Sequence, residues 1–144
     1  MKNLKIIILF IVVFVFIAML LNAGPPKPIV LSEGKKIPLM QGSYCWRKIS
    51  GVECVDKISP PEIINQHKII PVTISPQSEI NITFKKAPIE KINVEEWVNH
   101  SKSKTMSVED NVFSAPKDNG IYIYIISGKW EKGSSSYILT IKVE

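Results

Sequence analysis

The chain has 144 residues, with 18 lysines and arginines against 13 aspartates and glutamates, for a formal net charge of +5. Lys2 and Lys5 supply two of those charges, so the chain beyond them carries only +3. That is too mild, and too scattered among acids, for a nucleic-acid footprint, which needs a concentrated basic face. With the first 23 residues set aside, about 120 remain, one domain of ordinary size.

From Ile6 to Leu21 run sixteen residues without a charge, a proline or a glycine. Lys2 and Lys5 precede the run, and the first acid, Glu33, comes well after it. This asymmetry keeps a short amino end inside and sends the C-terminal bulk across the membrane. Two readings compete. A secretory signal has an apolar core of about 7–15 residues and a small-x-small cleavage site. Here the core is slightly longer, and Leu21-Asn22-Ala23 offers a large residue where a small one is preferred. A spanning helix needs roughly 17–25 residues, and with Leu4 and the Ala23-Gly24 edge the run reaches the low end of that range. The expectation is a single-pass signal-anchor over 1–23 that partners the cytoplasmic membrane via Ile6 to Leu21. Secretion after cleavage is the alternative. No cysteine follows Gly24, which excludes a lipid anchor of the usual lipoprotein kind.

Gly24-Pro25-Pro26-Lys27-Pro28 cannot continue a helix and favours an extended polyproline conformation, so 24–36 reads as a stiff spacer. From 37 to 144 the chain reads as short strands separated by turns. Cys45 and Cys54 lie on the exported side, where a disulfide persists. A four-residue turn from Lys48 to Gly51, with Gly51 at positive φ, places them directly opposite each other across a hairpin, at disulfide distance. There is no Cys-x-x-Cys to suggest redox work. His67 and His100 lie too far apart to act as a metal pair.

Residues 62–66 suit a helical turn, 69–74 a strand with an edge-type proline at Pro71. Next comes the cleanest alternation in the chain: Ile80, Ile82 and Phe84 against Asn81, Thr83 and Lys85. The segment 89–98 alternates less neatly and carries Trp97, read as the buried core tryptophan against the alternative of a ligand-stacking aromatic. Residues 99–105 read as a polar loop and 112–113 as a short strand. Strands at 121–127 and 137–143 close the chain around a connection at 130–135. In the last strand Tyr137, Leu139, Ile141 and Val143 share one face, with Ile138, Thr140 and Lys142 on the other. Asp118-x-Gly120-x-Tyr122 resembles the tyrosine corner of immunoglobulin-like domains. The expected fold is therefore all-β, an immunoglobulin-like β-sandwich ectodomain after one N-terminal transmembrane helix.

No catalytic residue is expected. Nucleophilic catalysis needs a nucleophile with a base beside it, and neither His67 nor His100 stands in a recognisable catalytic motif. Glu95 and Glu96 are adjacent, so on a strand they point to opposite faces. The glycines are isolated turn markers and form no phosphate cradle, and no cofactor or metal is implied. What is left is binding. Tyr44, Trp46 and Arg47 sit on the stapled hairpin and are residue types enriched at interface hot spots. The competing reading has Tyr44 and Trp46 filling the core on one face while Cys45 takes the other.

Gly42-Ser43-Tyr44-Cys45-Trp46, Cys54-Val55-Asp56 and Ser59-Pro60-Pro61-Glu62 resemble a family of small exported or membrane-anchored proteins of Bacillus and relatives. So does the C-terminal set Ala115-Pro116, Gly120-x-Tyr122-x-Tyr124, Trp130-x-x-Gly133 and Ser136-Tyr137. The resemblance runs from Pro38 to the end. It implies an exported location and a fold, and supplies no ligand and no site. Lipoprotein members carry a cysteine after the apolar run, from which this chain departs. The expected function is a membrane-anchored extracytoplasmic binding domain, its partner an envelope protein or a cell-wall component. The alternative is an inhibitor of an extracytoplasmic protease that uses the 46–53 loop as a wedge.

Overall fold

A computed structural model describes residues 2–21 and 23–144 of the chain, with the side chains of 4–18 and 23–144. The N-terminal helix α1 covers Lys2–Leu21. Every side chain from Ile6 to Ile17 is apolar and exposed, so none of these is buried against the remainder of the chain. Among the described residues no helix is long and apolar enough to cross a membrane.

Beyond α1 the chain is mostly β. In order come β1 (Pro28–Ser32), β2 (Lys35–Ile37), β3 (Met40–Lys48), β4 (Gly51–Val55), the short helix α2 (Pro60–Gln66) and β5 (Val72–Ile74). Then follow β6 (Glu79–Phe84), β7 (Asn93–Asn99), β8 (Lys102–Thr105), β9 (Val112–Ser114), β10 (Gly120–Trp130) and β11 (Gly133–Val143). They form two sheets. The smaller has the order β2-β1-β6-β9, and the larger β4-β3-β11-β10-β7-β8, with β5 added parallel to the end of β11.

Period-two alternation makes these strands and assigns their faces. In β6, Ile80 and Ile82 are buried while Asn81 and Thr83 face solvent. Val30, Ile80, Ile82 and Phe113 of the smaller sheet join Val94, Tyr124, Ile126, Leu139 and Ile141 of the larger in one hydrophobic core. β11 is central and buried on both faces. Tyr137, Leu139, Ile141 and Val143 point into the core, while Ile138 and Thr140 are buried on the opposite side, where α2 packs across β3, β10 and β11. Glu62 fixes the start of α2, its carboxylate accepting bonds from the Ser59 amide at 3.0 Å and hydroxyl at 2.5 Å.

Several expectations change. The stretch 24–36 is no spacer: it carries β1 and β2. The indole of Trp46 donates to the Ala23 carbonyl at 2.8 Å and the Tyr137 hydroxyl to that of Pro26 at 2.7 Å, so the proline segment lies docked on the domain. The polar loop at 99–105 contains β8, an edge strand whose residues are all exposed. The connection at 130–135 shrinks to Glu131 and Lys132, since Trp130 pairs with Gly133. The strand order also departs from the immunoglobulin one, where the last strand closes an edge of its sheet; here β11 lies in the middle. The tyrosine-corner contact itself is present, the Tyr122 hydroxyl donating to the Asp118 carbonyl at 2.9 Å.

Candidate functional site

The hairpin β3–β4 has the expected register. Cys45 faces Cys54 with Cα atoms 4.0 Å apart and a disulfide between them. Gly51, at φ +128°, follows the reversal at Ile49 and Ser50. Its side chains divide between two faces. Trp46 is 3% exposed and packs edge-on against Trp130, with ring centroids 5.9 Å apart. Tyr44 is half-buried on the same face, its hydroxyl donating to the carboxylate of Glu53, which also holds Lys48 Nζ at 2.6 Å. Lys48, and then Tyr44, hold the Glu53 carboxyl below its ordinary range; the same carboxylate pushes the Tyr44 phenol and the Lys48 ammonium up. Arg47 and the disulfide are exposed on the opposite face. Tyr44, Trp46 and Arg47 therefore do not make one binding surface. Trp46 is a core residue.

Trp97 moves the other way. Both Trp46 and Trp130 (2% exposed) are buried, whereas Trp97 is half-buried on the outer face of the larger sheet. The reason is register. Val94 points inward, so Glu96 shares its face and Trp97 takes the outer one beside Ile125. α2 packs across β3, β10 and β11 on that face, and a groove of about 290 Å³ lies between its start at Ser59 and Pro60 and Trp97. Trp97, Ile125 and Ile138 give it apolar surface, and Ser43, Ser59 and Ser136 supply hydroxyls. Gly42 floors it: a Cβ there would lie 2.5 Å from Ser136 Oγ. The His100 ring meets Trp97 edge-on at 5.7 Å. Glu62 lies close by, its carboxyl held low by the Ser59 bonds and further by His100.

An apolar platform with a few convergent polar groups is the general form of a small-ligand site. A wider cavity of about 590 Å³ lies among Lys91, Ile92, Met106, Val108 and the tight turn Glu109–Val112, where Asp110 and Asn111 both take positive φ. It has no aromatic platform. Glu95 and Glu96 do face opposite ways, Glu95 accepting from Asn93 and Ser103 at 2.8 Å each. His67 is exposed at the end of α2. Among the described residues no cluster of three metal-ligating side chains forms.

Only the outer-face register would have revealed the groove from sequence, and it requires knowing where Val94 points. Comparison with protein-family models, with curated proteins and with solved structures finds no match to this chain.

Proposed function

We propose that this chain is a membrane-anchored, extracytoplasmic binding domain whose ligand seats on Trp97. The half-buried indole in a groove rimmed by serine hydroxyls carries the reading. A tryptophan left half-exposed on a sheet's outer face beside Ile125 and Ile138 offers a flat apolar surface to a ring. Hydroxyls around such a platform match the alternating apolar and hydroxylated faces of a glycan, so the ligand is proposed to be a cell-wall saccharide rather than an envelope protein. α1 is proposed as the anchor. A helix apolar all round belongs in a protein core or a bilayer, and the side chains from Ile6 to Ile17 are not buried against the described residues of this chain. The sequence stays apolar through Leu21, and the resemblance to exported and anchored Bacillus proteins points the same way.

The wedge-inhibitor alternative has less support. The hairpin reverses through Ile49 and Ser50 alone and leaves no extended segment to lie in a protease cleft.

The test titrates the full chain, in detergent micelles, with soluble cell-wall glycan fragments. With Trp46 and Trp130 buried, ligand-dependent fluorescence reports on Trp97. A saturable change that disappears in Trp97→Ala is the expected result. No change with any fragment, in a protein whose circular dichroism is native, overturns the glycan assignment.

A further inference from the structure

Cations scattered along the sequence converge at one end of the domain, the end from which α1 leaves. Ala23 is held there by Trp46. The two hairpin turns lie side by side, because Trp46 pairs with Gly133 and the Arg47 amide donates to the Lys132 carbonyl at 2.7 Å. The end of β6 joins them: Trp130 Nε1 bonds the Lys86 carbonyl at 2.9 Å, and the Ile89 amide bonds that of Lys129 at 2.8 Å. β1 starts there too, with Pro28 opposite Phe84.

Lys27, Arg47, Lys48, Lys85, Lys86, Lys129 and Lys132 thus share this end with three acids, Glu53, Glu90 and Glu131. Seven cations against three acids leave it at +4, while the other nine cations and ten acids of 23–144 leave −1. Two of the acids are occupied by lysines, Glu53 by Lys48 at 2.6 Å and Glu90 by Lys129 at 2.7 Å. Between the cations three large apolar side chains stand out, Ile49 at 62%, Val52 at 65% and Ile89 at 58% exposure. Exposed isoleucines among lysines have the composition of a surface that lies in a headgroup layer.

We infer that this cationic end of the sandwich docks on the anionic lipid headgroups of the membrane that holds α1. The inference rests on the anchored reading of α1. Its strength is distance. From Leu21 to Ala23 the chain reaches at most about 7 Å, inside the Debye length of about 8 Å at physiological salt. The docked proline segment removes the slack that a free spacer would give. Each lysine or arginine near an anionic surface adds attraction, and the domain then stands with the Trp97 groove on its flank.

The experiment reconstitutes the full chain into vesicles of phosphatidylcholine alone or with phosphatidylglycerol, and labels lysines with an amine-reactive reagent read by mass spectrometry. Expected is a several-fold loss of labelling at Lys85, Lys86 and Lys129 in the anionic vesicles only, reversed by high salt, with Lys102, Lys104 and Lys117 unchanged. Lys85→Glu/Lys86→Glu should restore labelling of Lys129. Equal labelling in both vesicle types, with the chain still floating with them, overturns the docking and leaves the anchor standing. A chain that floats with neither overturns the anchor. Equal protection by a soluble polyglycerol phosphate overturns the assignment to lipid, since the end would then be a general polyanion site.

Discussion

The indole Nε1 of Trp46 donates a hydrogen bond to the carbonyl oxygen of Ala23 at 2.8 Å, tying the first described residue after α1 to the core of the β-domain. Whatever α1 is attached to, the domain follows it closely. Trp46→Phe keeps a ring in the core and removes the donor. The lost bond and the lost volume together should cost about 1–2 kcal/mol. Hydrogen exchange at the amides of Ala23, Gly24 and Lys27 should accelerate while the amides of β10 stay protected. Unchanged exchange at Ala23, Gly24 and Lys27 would show that this bond does not hold the segment.

Cys45 and Cys54 are both exposed, so serines can replace them without burying a hydroxyl. Closing a ring of sequence separation 9 removes unfolded-chain entropy worth about 2–3 kcal/mol. Cys45→Ser/Cys54→Ser should lower the denaturant midpoint accordingly. The groove beside Trp97 should keep its ligand response, because its β3 residues, Gly42 and Ser43, stay held by the β3–β11 pairing on either side of them, Gln41 to Tyr137 and Tyr44 to Ser135. A variant that loses that response at native temperature would tie the staple to the site.

What sequence could reveal follows from the physics of each element. Ile80 and Ile82 alternate with Asn81 and Thr83, and the turn chemistry around Gly51 pairs Cys45 with Cys54, so β6 and the stapled hairpin were legible. β8 was not: Lys-Ser-Lys-Thr is polar on both faces, and its hydrogen bonds to β7 leave no mark in the composition. β1 was hidden by Pro28 and the prolines before it, since Pro28 occupies a strand start where no ladder bond is required. The outward place of Trp97 is not legible, because alternation separates two faces without saying which is inner. The cationic end was invisible for a further reason: its lysines come from four separate segments that meet only through strand pairing.

Gly51 and Gly133 both take positive φ, at +128° and +147°, yet their surroundings differ. Nothing lies within 4 Å of a Cβ placed on Gly51, whereas one on Gly133 would sit 2.0 Å from the Cys45 carbonyl oxygen. Gly51→Ala should cost only backbone strain, about 1–3 kcal/mol. Gly133→Ala adds a clash with the β3 backbone that no rotamer relieves, raising the cost by a further 1–3 kcal/mol or so. Equal thermal midpoints for the two variants would refute the close approach.

Stability should fall at both ends of the pH scale, from different groups. Glu53, Glu33 and Glu62 are held low in the folded chain, by Lys48, Ser75 and Ser59 respectively. Their contribution is present above the unfolded glutamate value of about 4.3 and is lost as pH falls through the lowered folded values. On the alkaline side burial pushes the phenols of Tyr124 and Tyr137 up, and the Glu53 carboxylate raises Tyr44 and Lys48. That contribution is complete below about pH 10 and disappears as pH rises through the raised values. Tyr124 should dominate, being fully buried with no hydrogen-bond partner for its hydroxyl among the described residues. Phenolate absorbance and loss of circular dichroism should then rise together in one cooperative step. Tyr124→Phe removes both the ionisable group and an unpartnered buried hydroxyl, whose burial without a bond costs about 1–3 kcal/mol. It should be as stable as the parent at neutral pH or more so, and should unfold at a higher alkaline midpoint. An unmoved midpoint would transfer the transition to Tyr137 or to the Tyr44–Glu53–Lys48 set, which Glu53→Gln separates by removing the Glu53 share of the acid-side loss as well, with the shares of Glu33 and Glu62 remaining.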